Sequence, residues 1–334
     1  MATTDLLKDS HGRQHNYLRI SLIEKCNLRC TYCMPEEGVQ LSPRNHLMTA
    51  DEILGIAEVF VKNGVDKIRL TGGEPLLRKD FTTILKGLSK LNVQLSITTN
   101  AILVDRFMDD FKTYGLQDIN VSLDTLIPAK FATITKRDQF GKAFKNIEVL
   151  LEEGFNVKVN VVLMKGFNDN EIIDFIKLTE HQNIQVRFIE FMPFDGNQWS
   201  KEKLVSQKEI LDQVEEHFGA ATNQPLVNEA NFTARNYRID GFKGSYGIIS
   251  SVTNPFCDSC NRIRLTANGR IKNCLFSNQE VNLLEMYRTG ADIEPLISKA
   301  ILKKKAVRSG MTTLEDFENP ERHSDNRSMI TIGG

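Results

Sequence analysis

The chain has 334 residues, of which 41% are hydrophobic and 25% are charged, and its net charge is −1. This length can bury a substantial core, and the balanced charge creates no overall positive field, so we expect no nucleic acid and no membrane as a partner. The first residues contain no apolar export signal and no apolar run is long enough to span a bilayer, so we expect a cytoplasmic protein.

Short β-rich runs alternate with helical patterns in the first part of the chain. The runs cover residues 18–23, 67–70, 94–98, 118–123, 156–164 and 185–191. A helix is predicted over residues 50–62, ending at Asn63-Gly64. Six βα units of about thirty residues each predict an α/β fold with an open, six-unit (β/α) partial TIM-type barrel, because a closed barrel needs about 250 residues. A doubly wound open sheet is the alternative that periodicity does not exclude.

The pattern changes after residue 195, which predicts three parts. Residues 1–16 form an N-terminal tail, residues 17–195 the partial barrel, and residues 196–334 a C-terminal α+β extension that covers the open barrel. The extension contains a basic stretch with helical spacing, which we interpret as a solvated helix face. Its residues are Lys299, Lys303, Lys304, Lys305 and Arg308.

Polar or glycine-rich segments follow the predicted strands. Residues 71–75 read Thr-Gly-Gly-Glu-Pro after the second strand, and residues 98–100 read Thr-Thr-Asn after the third. The fourth strand leads into residues 122–124 and the sixth into residues 190–193. Because ligands bind at the carboxyl ends of parallel strands, we expect these segments to meet at one ligand site.

Three cysteines, Cys26, Cys30 and Cys33, follow the first predicted strand with the spacing Cys-x3-Cys-x2-Cys. A tight loop of this kind supplies three thiolates for a cubane iron–sulfur cluster. No fourth cysteine lies nearby, so one iron would stay open to a small molecule that carries an amine and a carboxylate. Structural zinc is the alternative, although zinc sites generally use four ligands from paired motifs.

A second set of three cysteines, Cys257, Cys260 and Cys274, is spaced Cys-x2-Cys-x13-Cys. Taken alone, this set is also compatible with a zinc ribbon that lacks one ligand. Beside the first set, we interpret it as a second cluster site that leaves an open iron for the substrate.

Basic residues lie within or beside several predicted strands, where an unpaired charge is costly. Arg262 and Arg264 are spaced i, i+2 on an extended segment and therefore point to the same side. On spacing alone, two solvated arginines on a surface strand are equally compatible. Four further cations lie within barrel strands: Arg19, Arg69, Lys158 and Arg187. An anionic ligand inside the barrel would account for the whole set, since arginine binds phosphate oxygens well.

Two segments resemble signatures of the radical S-adenosylmethionine (SAM) superfamily. CNLRCTYCM at residues 26–34 resembles the cluster-binding motif, and TGGEP at residues 71–75 resembles a SAM-binding segment. By this resemblance the first cysteine set holds a [4Fe-4S] cluster that reduces SAM. The resemblance implies that SAM is bound by Tyr32, Gly73, Glu74, Ser122 and Met192.

From residue 18 to residue 334 the chain resembles the GTP 3′,8-cyclase family of molybdenum cofactor biosynthesis. The motifs are LRIS, IRLTGGEPLLR, TTN, INVSLD, VKVNVV, RFIEFMP, FCDSCNRIRL and the terminal Gly333-Gly334. The resemblance implies a second [4Fe-4S] cluster over which GTP binds, and a C-terminal tail that enters the active site through Gly333 and Gly334. It implies these GTP contacts: Arg19, Arg69, Thr98, Lys158, Arg262 and Arg264, with Arg187 close by.

The implied reaction converts GTP to (8S)-3′,8-cyclo-7,8-dihydroguanosine 5′-triphosphate and consumes SAM. The resemblance also implies a one-electron donor and a downstream partner, the cyclic pterin monophosphate synthase, and it is compatible with a monomer or a homodimer. One alternative is another radical SAM enzyme with an auxiliary cluster, such as a peptide-modifying enzyme. A zinc-stabilised binding protein without catalysis is an alternative of a different class.

Overall fold

The computed structural model describes residues 5–34, 37–227, 231–322 and 326–333. The strands in these ranges are β1 (Tyr17–Ser21), β2 (Lys67–Thr71), β3 (Gln94–Thr99), β4 (Asp118–Ser122), β5 (Asn156–Leu163), β6 (Gln185–Glu190), β7 (Asn223–Pro225), β8 (Arg235–Ile239), β9 (Ser245–Ile249), β10 (Arg262–Leu265), β11 (Arg270–Lys272) and β12 (Val281–Asn282). The α-helices are α1 (Ala50–Lys62), α2 (Phe81–Leu88), α3 (Met108–Thr113), α4 (Pro128–Thr135), α5 (Phe140–Glu152), α6 (Ile172–Lys177), α7 (Gln207–Phe218), α8 (Leu283–Arg288), α9 (Glu294–Leu302), α10 (Leu314–Glu318) and α11 (Met329–Ile332).

All of these strands belong to one open sheet with the order β12-β11-β10-β1-β2-β3-β4-β5-β6-β9-β8-β7. The six predicted barrel strands are confirmed, and they run in parallel in the order of the sequence. This sequential order is that of a partial barrel, since a doubly wound sheet reverses its order at a switch point. The α/β prediction with an open six-unit barrel is therefore confirmed.

The extension adds strands to both edges of the barrel, which the sequence did not predict. β10 pairs with β1 and β9 pairs with β6, and both pairings are parallel. The outer strands β11 and β12, and on the other side β8 and β7, continue the sheet in antiparallel pairing. The segment that carries the second cysteine set is thus hydrogen-bonded directly to the strand that precedes the first set.

The two faces of the parallel strands differ in chemistry, because side chains alternate along a strand. One face is apolar and packs in the main core with α1 and α2; it includes Leu18, Ile20, Ile68, Leu70, Ile97 and Val159. The other face, called the polar face below, carries one acidic residue, Asp118, together with Tyr17, Arg19, Ser21, Lys67, Arg69, Thr71, Ser96, Thr98, Asn120, Ser122, Lys158, Asn160, Gln185, Arg187, Arg262 and Arg264. A sheet of this kind has a helix-covered side and a side that can line a ligand chamber.

Helix α1 follows the sequence prediction closely. The Thr49 hydroxyl accepts the N–H of Glu52 and the Glu52 carboxylate accepts the N–H of Thr49, a capping box that contributes about 1 kcal/mol. The helix ends at Asn63, and Gly64 adopts a φ of 107°. Its apolar stripe, which includes Phe60, is buried in the main core.

The interpretation of the basic stretch as a solvated helix face is wrong for two of its residues. Lys304 and Arg308 are buried, whereas Lys299, Lys303 and Lys305 are exposed. The physical reason is that α9 ends at Leu302, so helical spacing does not apply to the residues that follow. Arg308 donates to the carbonyls of Val252 and Thr312, which ties this segment to the extension.

No helix within the described ranges is both long and apolar enough to cross a membrane.

Candidate functional site

The first cysteine loop follows β1 and is held against α4. The N–H of Arg29 donates to the Thr135 carbonyl at 2.9 Å, and the N–H of Thr31 donates to the Ile134 carbonyl at 3.0 Å. The amides of Cys33 and Met34 both donate to the Cys30 carbonyl at 3.0 Å, which makes a tight turn. The backbone of this loop is therefore fixed by neighbouring structure.

The three thiols of this loop are in an environment that disfavours a bare thiolate. Burial raises the pKa of Cys26 to about 11 and that of Cys33 to about 12, and it raises the pKa of Cys30 well above its ordinary value. The thiols also raise one another's pKa through charge repulsion. Thiolates in such a loop need a bound cation, so the donor set fits an iron–sulfur cluster.

Among the residues that the structure describes, no group of three or more His, Cys, Asp or Glu side chains is arranged to hold one metal ion.

The glycine-rich loop after β2 lies along the cysteine loop. The N–H of Gly73 donates to the Ile23 carbonyl at 2.7 Å, and the N–H of Glu74 donates to the Lys25 carbonyl at 2.8 Å. A Cβ atom at Gly73 would collide with the Lys25 carbonyl and lie 3.0 Å from the Cys26 nitrogen. Only glycine permits this approach, so the two loops meet as the sequence motifs require.

Glu74 joins the loops that follow β2 and β3. Its buried carboxylate accepts hydrogen bonds from the Thr99 hydroxyl and the Asn100 N–H, both at 2.8 Å, and from the Leu76 N–H at 3.2 Å. Burial raises the pKa of Glu74 to about 7, against these stabilising bonds. Asn100 in turn donates to Asn27 Oδ1 at 2.7 Å, so a hydrogen-bonded chain runs from Glu74 into the cysteine loop.

Tyr32 connects the cysteine loop to the segment that follows β4. Its hydroxyl donates to Asp124 Oδ2 at 2.8 Å, while Asp124 Oδ1 accepts the N–H of Val162 at 2.9 Å. Burial raises the pKa of Asp124 to about 6. Asp124 lies in a segment that was expected at the ligand site, but no role was predicted for this residue. Its position two residues after Ser122 was the available signal.

The other two residues expected at SAM lie apart from this loop in the chain. Ser122 ends β4 on the polar face, in register with Asn160 of β5. Met192 follows β6 and packs, half-buried, against a small core of the extension that includes Val252 and Phe276. The contacts that surround Met192 are thus made largely by the extension.

Three of the expected GTP contacts are direct neighbours on the polar face. Arg19 is in register with Arg264 of β10 on one side and with Arg69 of β2 on the other. The guanidinium carbons of Arg19 and Arg69 lie 5.4 Å, and the Lys67 ammonium 5.5 Å, from the centre of the Tyr17 ring. Cation–π attraction offsets part of the repulsion among these cations.

Farther along the sheet, Thr98, Asn120 and Lys158 occupy matching positions on β3, β4 and β5. Lys158 lies 3.4 Å from the Asp118 carboxylate. Arg187 of β6 donates to Gln185 Oε1 at 2.9 Å. These residues continue the polar face from the row of Arg264, Arg19 and Arg69, called the arginine row below, towards the opposite edge of the sheet.

The arginines of the polar face bring several positive charges close together. Within the described ranges, no carboxylate lies within 4.0 Å of Arg19, Arg69, Arg187, Arg262 or Arg264. Burial, with repulsion from neighbouring arginines, lowers the pKa of Arg19 and Arg187 to about 10 and that of Arg264 well below its ordinary value. Tyr17 and Asp118 offset only part of this effect at Arg187. Burying so much like charge with so little compensation is expensive, which indicates an anionic ligand.

Unpartnered polar atoms lie on the same face. In the part of the chain that the structure describes, several buried atoms of the polar face make no hydrogen bond: Tyr17 Oη, Arg19 Nε, Ser21 Oγ, Asn120 Oδ1 and Asn160 Oδ1. Each such atom costs about 1–3 kcal/mol when it is left unsatisfied. Their concentration on one face is consistent with a polar ligand that completes their bonding.

The second cysteine set lies around the start of β10 and the end of β11. The N–H of Cys260 donates to the Cys257 carbonyl at 3.1 Å, and the Lys304 ammonium lies 3.2 Å from Cys260 Sγ. Although burial alone would raise it, Arg262 and Lys304 lower the pKa of Cys260 to about 5. Burial raises the pKa of Cys257. A stabilised thiolate at Cys260 fits a metal ligand.

The C-terminal tail enters the polar face. In α11, Ile330, Thr331 and Ile332 are buried. The Gly333 carbonyl accepts a hydrogen bond from Arg264. Gly333 has a φ of 79°, and a Cβ atom there would lie 2.5 Å from Thr71 Oγ1. Gly334, which we also expected at the site, lies outside the described residues.

Several residues lie at these sites without having been predicted there. Tyr17 and Lys67 lie two positions before Arg19 and Arg69 in the same strands, so alternation was a signal for both. Lys304 had no comparable signal, because its burial depends on the end of α9 and on the N-terminal segment.

Comparison with protein families gives two adjoining matches. Residues 20–179 match the radical SAM superfamily, and residues 184–309 match the family described as Molybdenum Cofactor Synthesis C. In fold, the chain is similar to the solved structure of Streptococcus suis SuiB, with a TM-score of 0.62 at 16% identity over 86% of this chain and 67% of that one.

Sequence relatives cover nearly all of the chain. The chain is 48% identical to Arabidopsis thaliana mitochondrial GTP 3′,8-cyclase over 99% of this chain and 84% of that protein. It is 41% identical to the GTP 3′,8-cyclase of Listeria monocytogenes over 98% of this chain and 99% of that protein. It spans about half the length of the mammalian relatives named Molybdenum cofactor biosynthesis protein 1, and is 48% identical to the human one over 98% of this chain and 51% of that protein. The chain therefore belongs to the GTP 3′,8-cyclase family of the radical SAM superfamily.

Proposed function

We propose that the chain is a radical SAM cyclase that converts GTP to (8S)-3′,8-cyclo-7,8-dihydroguanosine 5′-triphosphate, the first step of molybdenum cofactor biosynthesis. Two relatives that it covers almost fully are named for this activity. The observation that carries the proposal is the row of Arg264, Arg19 and Arg69 on the polar face of the sheet, for which no carboxylate of the described residues is an ion-pair partner. A triphosphate has the charge and the geometry that such a row would bind.

In this proposal the first site binds one [4Fe-4S] cluster through Cys26, Cys30 and Cys33. When bound, this cluster and SAM supply the one-electron, hydrogen-abstracting chemistry. The loop at Gly73 and Glu74 receives the SAM amine, with Glu74 held in place by the loop after β3. Tyr32 lines the same site, and its bond to Asp124 fixes the ring. Ser122 and Met192 contact the nucleoside.

Cys257, Cys260 and Cys274 would hold the second [4Fe-4S] cluster, which would supply a coordination position for the guanine of GTP. GTP lies along the polar face, where its contacts are Arg19, Arg69, Thr98, Lys158, Arg262 and Arg264, with Arg187 nearby. The basic residues of this set hold the triphosphate. The role of the chain's residues is to orient the ribose towards the first site and to exclude water, because misplacement by about 1 Å can cost about a hundredfold in rate. Gly333 closes the chamber beside Thr71 and Ser21. The proposal includes Gly334, which lies outside the described residues, in the same catalytic tail.

The reaction needs a one-electron donor, and its product is taken onward by a cyclic pterin monophosphate synthase. Both partners are part of the proposal, and the protein acts as a monomer or a homodimer.

The test is anaerobic incubation of the full chain with SAM, a reductant and GTP. We expect 5′-deoxyadenosine and the cyclised nucleotide to form only when GTP is present, and ATP to be a poor replacement. Metal analysis of the same sample should give about eight irons per chain, four for each cluster. SAM cleavage that does not depend on GTP, or one zinc in place of the irons, would contradict the proposal.

A further inference from the structure

Lys304 is a buried lysine beside the second cysteine set. Lys304 is 4% exposed. Its ammonium donates hydrogen bonds to Cys260 Sγ at 3.2 Å and to the Arg262 carbonyl at 3.0 Å. Within the described ranges, no carboxylate lies within 4.0 Å of this ammonium. A buried cation without a carboxylate is costly, so the group that compensates it lies on the Cys260 side.

The N-terminal segment holds the backbone that carries Lys304. The Arg13 guanidinium donates to the carbonyls of Lys305 at 2.9 Å and Ala306 at 2.8 Å, and also to the Cys257 carbonyl at 2.8 Å. His11 Nε2 lies at hydrogen-bonding distance, 3.2 Å, from the Lys304 carbonyl. A single side chain, Arg13, thus links the basic segment to the second cysteine loop.

Arg13 is itself held by a buried carboxylate. Its Nε donates to Asp9 Oδ2 at 2.6 Å, and Asp9 Oδ1 accepts the amides of His11 at 2.9 Å and Arg13 at 3.0 Å. Asp9 is 5% exposed. A charged pair of this geometry is rigid, because both partners have their remaining hydrogen-bonding atoms engaged by backbone.

We propose that Lys304 is a positioning residue of the second cluster, donating an N–H···S bond to Cys260, and that Asp9 and Arg13 hold it in place. This inference rests on the proposed function, since it takes Cys260 as a cluster ligand. A hydrogen bond and a fixed positive charge at a ligand sulfur favour the more negative, reduced cluster, and therefore raise its reduction potential. The N-terminal segment is then part of the second site rather than a loose tail.

The experiment compares Lys304→Met, Lys304→Arg and, as a matched control, Lys303→Met at the exposed neighbouring lysine. Each full chain is reconstituted anaerobically, and the midpoint potentials of both clusters are followed by electron paramagnetic resonance. We expect Lys304→Met to make the potential of the second cluster more negative and to leave the first unchanged. Lys304→Arg should restore most of the difference, and Lys303→Met should match the parent chain.

A second variant covers the case in which Lys304→Met does not fold. Arg13→Lys keeps Lys304 but loses the hydrogen bonds from Arg13 to three backbone carbonyls. It should also make the reduction potential of the second cluster more negative, by less than Lys304→Met does. Loss of only the second cluster in Lys304→Met, with iron falling by half and the first signal intact, would also support the proposal. Unchanged potentials with full iron in both Lys304→Met and Arg13→Lys would overturn it. If the parent chain itself gave only one cluster signal, the proposed two-cluster function would be wrong as well. The parent chain therefore distinguishes a failure of the proposed function from a failure of the Lys304 proposal alone.

Discussion

The Arg264 guanidinium donates a hydrogen bond to the Gly333 carbonyl, although the two residues are 69 positions apart in the chain. This bond places the C-terminal tail beside Ser21 and Thr71, at the carboxyl ends of β1 and β2. One arginine of the polar face therefore faces the chamber and also anchors the segment that closes it. The tail and the arginine row form one structural unit.

Gly333→Ala should lower product formation more than it lowers stability. The new Cβ would lie 2.5 Å from Thr71 Oγ1 and 2.9 Å from Ser21 Cβ, and the positive φ would add about 1–2 kcal/mol of strain. We expect the tail to leave the chamber, with iron content unchanged. The control is Gly241→Ala, which has a φ of 82° but open space around it. Equal activity in both variants, measured as cyclised product per iron, would mean that the tail does not shape the site.

Arg19→Met should weaken GTP binding without lowering the stability of the chain in the absence of GTP. Without GTP, removing one buried like charge from the arginine row should leave the melting temperature equal or higher. With GTP, loss of a charged contact of about 1.5–3 kcal/mol should weaken binding ten- to a hundredfold in calorimetry. Arg106→Met, at an exposed arginine, should change neither quantity. A lower melting temperature with unchanged GTP affinity would contradict the assignment of this row to the triphosphate.

Glu74→Gln should flatten the pH dependence of stability. The pKa of Glu74 in the folded chain is about 7, above its ordinary value of 4.5, so the folded state binds more protons than the unfolded state between these values. Stability attributable to Glu74 is therefore fully present below about pH 4.5 and is lost as the pH rises to about 7. Urea unfolding at several pH values should show this decline in the parent chain and little of it in Glu74→Gln. Identical slopes would mean that Glu74 does not titrate in this range.

Cys30→Ser and Cys274→Ser should each remove about half of the iron but should differ in chemistry. Cys30→Ser should abolish SAM cleavage, because it removes a ligand of the first cluster. Cys274→Ser should leave SAM cleavage possible while uncoupling it from GTP, because it alters the second site. The measurements are iron per chain and the yields of 5′-deoxyadenosine and cyclised nucleotide. Normal product yield from Cys274→Ser would show that substrate does not depend on the second cluster.

Several features of the site were predicted from local sequence. The six barrel strands, the loops that follow them and the capped helix α1 all appear where periodicity and turn residues placed them. The approach of Gly73 to the cysteine loop also follows from its motif, because only glycine tolerates it. These features depend on neighbouring residues in the chain, so a single sequence contains the information.

Features that depend on distant residues were not predicted. The Glu74 carboxylate accepts a hydrogen bond from the loop after β3, and Asp124, which follows β4, accepts one from the Tyr32 hydroxyl. Lys304 was interpreted as solvated because its spacing looked helical, yet the chain turns inward beyond α9 and the N-terminal segment covers it. Spacing does not reveal burial once a helix has ended.

The sequence by itself determined the alternation of strands and helices, the two cysteine triads and the set of cations, because each of these depends on local order and residue type. Only the tertiary structure decided that β10 pairs with β1, which makes Arg264 the neighbour of Arg19 and brings the two cysteine sets to one sheet. It also decided which buried charges have carboxylate partners and which do not. The physical reason is that sheet pairing joins segments remote in the chain, and the charge balance of a buried face is a property of all the strands that form it.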